Sequence, residues 1–234
     1  MLELNTFSIV ARCERSGELG VAVASAVPAV GSMCPYLEAG VGAVSTQSWV
    51  NPYLALGVLA SLRGGAGARQ ALDAVLAVDA DAALRQIGVI GTSGPGVAWT
   101  GTACTAWQGQ IVGADFAIQG NMLVGESTLQ AMLTAWQRDP AADLSERLMA
   151  ALAAGDAAGG DFRGKQSAAL KIVGDEAYAS VDEHIEPVTE LRRVLGVARV
   201  QLLPFVTGMP RRKGVPRALP EAVTRMLLRP PSQR

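Results

Sequence analysis

A chain of 234 residues, half of them apolar and 18% charged, has the length of one generous α/β domain and enough apolar side chains for a continuous core, which excludes disorder over most of its length. Aromatics are only 5%, which argues against a base-stacking surface, so no nucleic acid partner is expected. The net charge of −1 divides unevenly: residues 1–195 carry 12 basic and 20 acidic side chains, a net −8, and residues 196–234 carry 8 and 1, a net +7.

Thr6 to Arg12 and Leu19 to Ser25 are runs rich in β-branched residues joined by Glu14-Arg15-Ser16-Gly17, a hairpin pattern. Gly40 to Gln47 reads as a third strand, whose small residues suit close approach by another backbone. Pro52 to Arg63 and Ala66 to Val78 carry apolar residues at helical spacing and are separated by Gly64-Gly65. Arg85 to Ile90, Val97 to Thr102 and Asp115 to Gln119 read as further strands. A second helical pair covers Ser127 to Arg138 and Ala141 to Ala154, with Asp143 in the first turn of the latter and Gly155 just past its end. A polar glycine-rich loop, 159–168, leads into a strand over Ala168 to Val173, and Pro187 to Leu195 is a last helix. This order predicts an α/β (α+β) fold with two sheets and helices on their outer faces. The expected domain is 1–195. Residues 196–234 are then a basic arm, also apolar through Val200, Leu202, Leu203, Phe205 and Val206. It is expected to dock on its own or a neighbouring subunit, and a homo-oligomer is the expected state.

Cys13, Cys34 and Cys104 are odd in number and widely spaced, which suggests neither a disulfide framework nor a zinc site. The amino terminus lacks a basic segment followed by an apolar run, and no stretch is long and apolar enough to span a membrane. A cytoplasmic chain with no membrane contact is expected. No Walker loop, dinucleotide fingerprint or Gly-x-Ser-x-Gly elbow occurs, so neither cofactor nor metal is expected.

Thr6 opens the first strand. A Thr, Ser or Cys at a chain terminus can be a nucleophile whose own α-amine, with a reference pKa near 8, is the base. Thr-Phe-Ser-Ile-Val-Ala-Arg (6–12), the tight turn and Gly-Val-Ala-Val-Ala-Ser (20–25) resemble the opening of proteasome-type members of the Ntn-hydrolase superfamily. More closely, these segments resemble the Ntn-hydrolase-like family known as domain of unknown function 1028, taken together with Gly-Val-Gly-Ala-Val (40–44), Thr46-Gln47, Arg85-Gln86, Gln119-Gly-Asn121, Gly-Gly-Asp-x-Arg-Gly-x-Gln-Ser-Ala (159–168) and Asp182-Glu-His184. The resemblance spans Thr6 to about Leu195. It implies a four-layer αββα sandwich of two antiparallel sheets and a hydrolase acting on a small amide or other C–N bond, with a small-molecule amide-type substrate and Thr6 as nucleophile. One departure stands out: similar proteins commonly begin Met-Thr, whereas here Met1-Leu-Glu-Leu-Asn5 precedes Thr6. Thr6 becomes terminal only if the Asn5-Thr6 bond is cut or translation starts elsewhere.

Ser8 shares the strand face of Thr6. Ser25 and Thr46 end strands that the resemblance places beside the nucleophile. No lysine lies in the first three strands, which argues against a proteasome-like lysine relay. Asn121 and Gln119 offer side-chain amides suited to an oxyanion or a substrate amide. Gln47 and Arg163 would position the substrate, Asp161 orienting the guanidinium, with Gln166 and Ser167 facing the cleft. His184 is the only histidine and could act as a base oriented by its acidic neighbours. Two alternatives stand beside this reading. One is a non-catalytic binding or scaffold protein whose extension blocks the cleft; the other is an unprocessed hydrolase using Ser8, Ser25 or Cys34.

Overall fold

The computed structural model describes residues 3–4, 6–174, 178–202, 221–222 and 225. Most of the basic arm lies outside the described residues. Among the described residues, eleven strands form two antiparallel sheets. The six-stranded sheet has the order β11-β10-β3-β2-β9-β8, from Tyr178–Val181 (β11), Ser167–Val173 (β10), Leu19–Ser25 (β3), Thr6–Arg12 (β2), Phe116–Gly120 (β9) and Gly109–Val112 (β8). In the five-stranded sheet β5 (Gly42–Trp49) pairs with β6 (Arg85–Gly91), which pairs with β7 (Val97–Thr100). The other edge of β5 is shared by β4 (Pro35–Glu38) along its first half and by the two-residue β1 (Glu3–Leu4) along its end.

Three apolar layers hold the elements in the order helix, sheet, sheet, helix. Leu54, Val58 and Leu59 of α1 (Pro52–Arg63) and Ala71 and Leu72 of α2 (Ala68–Leu76) pack on Val44, Ile87, Val89 and Val97 of the five-stranded sheet. On the far side, α3 (Ser127–Arg138), α4 (Leu144–Ala157) and α5 (Pro187–Gln201) cover Phe7, Ile9, Ala22, Ala24 and Leu170. Val10, Leu19, Val21, Ala43, Ile90, Ala98 and Ala117 fill the space between the sheets. Strand alternation sets this partition. In β2 the odd residues Phe7, Ile9 and Ala11 face the helices, and the even residues Thr6, Ser8 and Val10 face the other sheet. The expected two-sheet sandwich with helices outside is the architecture observed.

Local signals explain the helix boundaries. Asn51 accepts a hydrogen bond from the Tyr53 N–H and Pro52 occupies the first turn of α1; Pro187 likewise opens α5. Two details differ from expectation. Gly155 lies inside α4 rather than beyond it, because a Cβ there would stand 2.7 Å from Met132 and 3.2 Å from Phe7, so the residue serves close packing and not termination. Asp143 precedes α4 at its cap position instead of sitting in the first turn. In addition, α5 runs to Gln201, past the expected boundary at 195. No helix among the described residues is long and apolar enough to cross a membrane.

A buried amide and hydroxyl site between the sheets

The same alternation that buries Val10 and Val21 brings polar side chains together at one end of the inter-sheet space. Thr6, Ser8, Ser25, Ser45, Gln47, Gln86, Gln119 and Asn121 are all fully buried. Buried polar groups of this kind are tolerable only when they satisfy one another, and here they do so across the two sheets, Gln119 Oε1 alone among those the network uses being left without a partner. Thr6 Oγ1 donates to Ser25 Oγ at 3.2 Å, its cross-strand partner. Ser8 Oγ donates to Gln47 Oε1 at 2.6 Å and accepts from Gln119 Nε2 at 2.7 Å. Gln47 Nε2 donates both to the Thr6 carbonyl at 3.0 Å and to Gln86 Oε1 at 2.8 Å, and Asn121 Nδ2 reaches the same Gln86 oxygen at 2.9 Å. The Thr6 carbonyl also accepts from the Asn121 N–H at 3.1 Å. Gln86 Nε2 in turn donates to Thr100 Oγ1, the Gly109 carbonyl and the Gly120 carbonyl.

Gln86 is the member that sequence reasoning left without a role, although Arg85-Gln86 stood among the segments carrying the family resemblance. Gly88 is a second. Its Cβ would lie 2.2 Å from Gln119 Oε1, so only glycine on β6 leaves room for the Gln119 side chain between the sheets. A Gly88→Ala variant is therefore expected to lose about 2 kcal/mol by overpacking, read as a lower urea midpoint at unchanged slope. A loss below about 0.5 kcal/mol would mean that Gln119 moves aside freely.

The remaining expected site residues lie outside this network. Thr46 does not join it: the residue lies on β5 between Ser45 and Gln47, both of which face inward, and its buried hydroxyl has no hydrogen-bond partner. Asp161, almost fully buried, holds Arg163 through two side-chain hydrogen bonds of 3.1 and 2.8 Å and also accepts from the Arg163 N–H. Its loop is joined to the end of β9 by the bridge Leu123↔Asp161. The Gln166 N–H donates to the Ser25 carbonyl, and the Gln166 carbonyl accepts from the His184 N–H. These contacts bring the ends of β3 and β10 and the exposed His184 to the same end of the sheet. Ser167 ties the chain around Val27 and Val30 together, donating to the Val27 carbonyl and accepting from the Val30 N–H. Cys34 is fully buried, and burial pushes its thiol up, which keeps it protonated.

Two open grooves of about 530 Å³ lie elsewhere. One is lined by Tyr36, Leu56, Lys171 and Tyr178, the other by Val112, Leu133 and Pro140, and neither is lined by a network residue. On the α1 side of β5, the buried Arg85 forms an ion pair with the partly buried Asp79 at 2.7 Å and donates to the Trp49 carbonyl at 2.7 Å. The contact fixes the end of β5 just beyond Gln47.

Among solved structures, protein SPO2555 from Silicibacter pomeroyi superimposes with a TM-score of 0.80 at 28% identity, over 88% of this chain and 95% of that one. The Anbu (ancestral beta-subunit) protein from Yersinia bercovieri matches at a TM-score of 0.39 and 13% identity, over 89% of this chain and all of that one. No curated protein matches the chain. The family described as "Family of unknown function (DUF1028)" matches residues 6–191, and its match begins at Thr6 itself. SPO2555 is described as belonging to that family too. On the strength of a match over most of its length, the chain belongs to the DUF1028 family.

Proposed function

We propose that the protein is an Ntn-type hydrolase that cuts a small amide or related C–N bond with the hydroxyl of Thr6, uncovered when the Asn5-Thr6 bond is opened. One observation carries the reading. Thr6 heads the interior strand β2 with its hydroxyl against Ser25 Oγ, and its carbonyl is gripped from two sides by Gln47 Nε2 and the Asn121 N–H. A residue held this firmly can present its hydroxyl and a freed α-amine in fixed geometry, and fixed geometry is what nucleophilic catalysis requires. The start of the family match at Thr6 supports the same boundary. Ser8 is less suited to attack, since its oxygen is committed to both Gln47 and Gln119.

In this mechanism the Thr6 α-amine takes the hydroxyl proton, Thr6 Oγ1 attacks the substrate carbonyl, and the proton passes to the departing amine. Water then releases the acyl group. Asn121 borders the nucleophile and carries a side-chain amide suited to substrate or oxyanion, while Gln47, both of whose amide hydrogens go to the Thr6 carbonyl and Gln86, holds the backbone of the nucleophile in place. Arg163, aligned by Asp161, provides a cation at the rim for a carboxylate on the substrate.

The intact mass of the purified protein tests the first requirement: a chain beginning at Thr6 is expected, with turnover of small amides that a Thr6→Ala variant lacks. A chain that keeps residues 2–5 would sink the mechanism. One observation favours a second reading, a closed scaffold in which the extension stays in place: the backbone of Glu3 and Leu4 pairs with Trp49 and Ser48, and Thr6 has no exposed surface. Retention of the extension together with absent turnover would select it.

A further inference from the structure

Lys171 is out of place by the rule that partitions the rest of the sandwich. It lies on β10, which is paired on both edges, between Ala169 and Val173 on the face that looks toward the other sheet. A cation on such a face is uncommon unless a carboxylate accompanies it. Lys171 is partly buried, and among the described residues it forms no ion pair. The other two charged residues on the groove that it lines, Arg63 and Glu38, are paired with each other. The groove therefore carries one uncompensated positive charge.

The surroundings indicate the ligand. The groove, about 530 Å³ in volume, lies where β4, an edge strand of one sheet, meets β10 and β11 of the other beside α1. Tyr178 stands opposite Lys171 in the β10–β11 register, so its phenol and the ammonium line the groove together. Glycine at 31 leaves room for them: a Cβ there would stand 2.7 Å from the Ala169 Cβ and 3.4 Å from the Tyr178 hydroxyl. From β4 and α1 come Tyr36, Leu56 and Leu59, with Leu56 half exposed although its side chain is apolar. An ammonium and a phenol O–H beside aliphatic and aromatic surface match one carboxylate carried on an apolar body. The volume exceeds what a bare inorganic anion fills, and Glu38 on the same groove repels a dianion. We infer that this groove binds a small apolar monocarboxylate, with Lys171 as its counter-ion and Tyr178 as a second donor. The groove shares no residue with the Thr6 network, so the inference stands apart from the reading of Thr6 as a nucleophile.

The test titrates the purified protein with 3-phenylpropionate by ligand-observed NMR, with the uncharged ketone of the same shape, 4-phenyl-2-butanone, as control. The acid is expected to bind with a Kd of about 1 mM and the ketone at least about tenfold more weakly. Lys171→Met removes the charge and keeps most of the length of the side chain. It is expected to weaken binding of the acid at least about tenfold, the effect of losing a charge-assisted hydrogen bond. It should also keep or raise the urea midpoint, because an unpaired cation leaves the sandwich. Lys171→Gln repeats the test should methionine lower that midpoint. Tyr178→Phe is expected to weaken the acid about threefold. Affinity of both Lys171 variants for the acid within about twofold of the parent would overturn the inference, as would equal affinity of the parent for acid and ketone. A parent that does not bind the acid at about 10 mM would overturn it as well.

Discussion

A Gln86→Ala variant is expected to lose about 3 to 4 kcal/mol of stability, enough to lower the melting temperature by about 10 °C. Gln86 is the hub at which the two sheets meet: its oxygen accepts from Gln47 and Asn121, and its amide donates to Thr100 and to the carbonyls of Gly109 and Gly120. Truncation leaves a void between the sheets and strands fully buried donors and acceptors of the opposite sheet. Each stranded group costs about 1 to 3 kcal/mol, which is more than a lost surface contact could account for. Urea unfolding at constant slope measures the loss. A change below about 1 kcal/mol would show that the network rearranges around the gap, and that Gln47 is not held in place through Gln86.

The second large effect is expected at the outer end of the same strand. Arg85 is buried and Asp79 partly buried, and Asp79→Ala removes the main counter-charge of a buried guanidinium that also holds the Trp49 carbonyl. Breaking such a pair from one side costs about 3 kcal/mol or more. The Arg85 hydrogen bonds hold the Asp79 carboxyl below its ordinary value of 3.8. Because the folded state favours the charged form, the contribution of Asp79 is complete above pH of about 4 and declines as pH falls below that value and through the lowered folded-state pKa. Stability measured against pH should therefore fall less steeply on the acid side in Asp79→Asn than in the parent. Equal acid slopes would remove Asp79 from the account.

Much of the fold was legible because interior elements carry period. The runs 6–12, 19–25 and 85–90 are interior strands, and their β-branched residues advertised them. The strands that escaped notice, β1, β4, β8 and β11, are two to four residues long and lie at sheet edges, too short for an alternation to repeat. At the site, Thr6 and Ser8 could be placed together because two residues separate them on one strand, and Ser25 faces Thr6 through hairpin register. Expecting Thr46 and Gln47 together went against the same rule, since neighbours on a strand face opposite ways. Gln86 was beyond reach, because its role depends on partners 39 and 35 residues away.

The network between the sheets is built from serine, threonine, glutamine and asparagine, none of which gains or loses a proton between pH 3 and 10. The interior that clamps Thr6 is thus indifferent to pH, while the ion pair of Asp79 with Arg85 at the outer end of β6 is not. Acid should loosen the molecule from its margins inward, with the grip on Thr6 among the last features to yield.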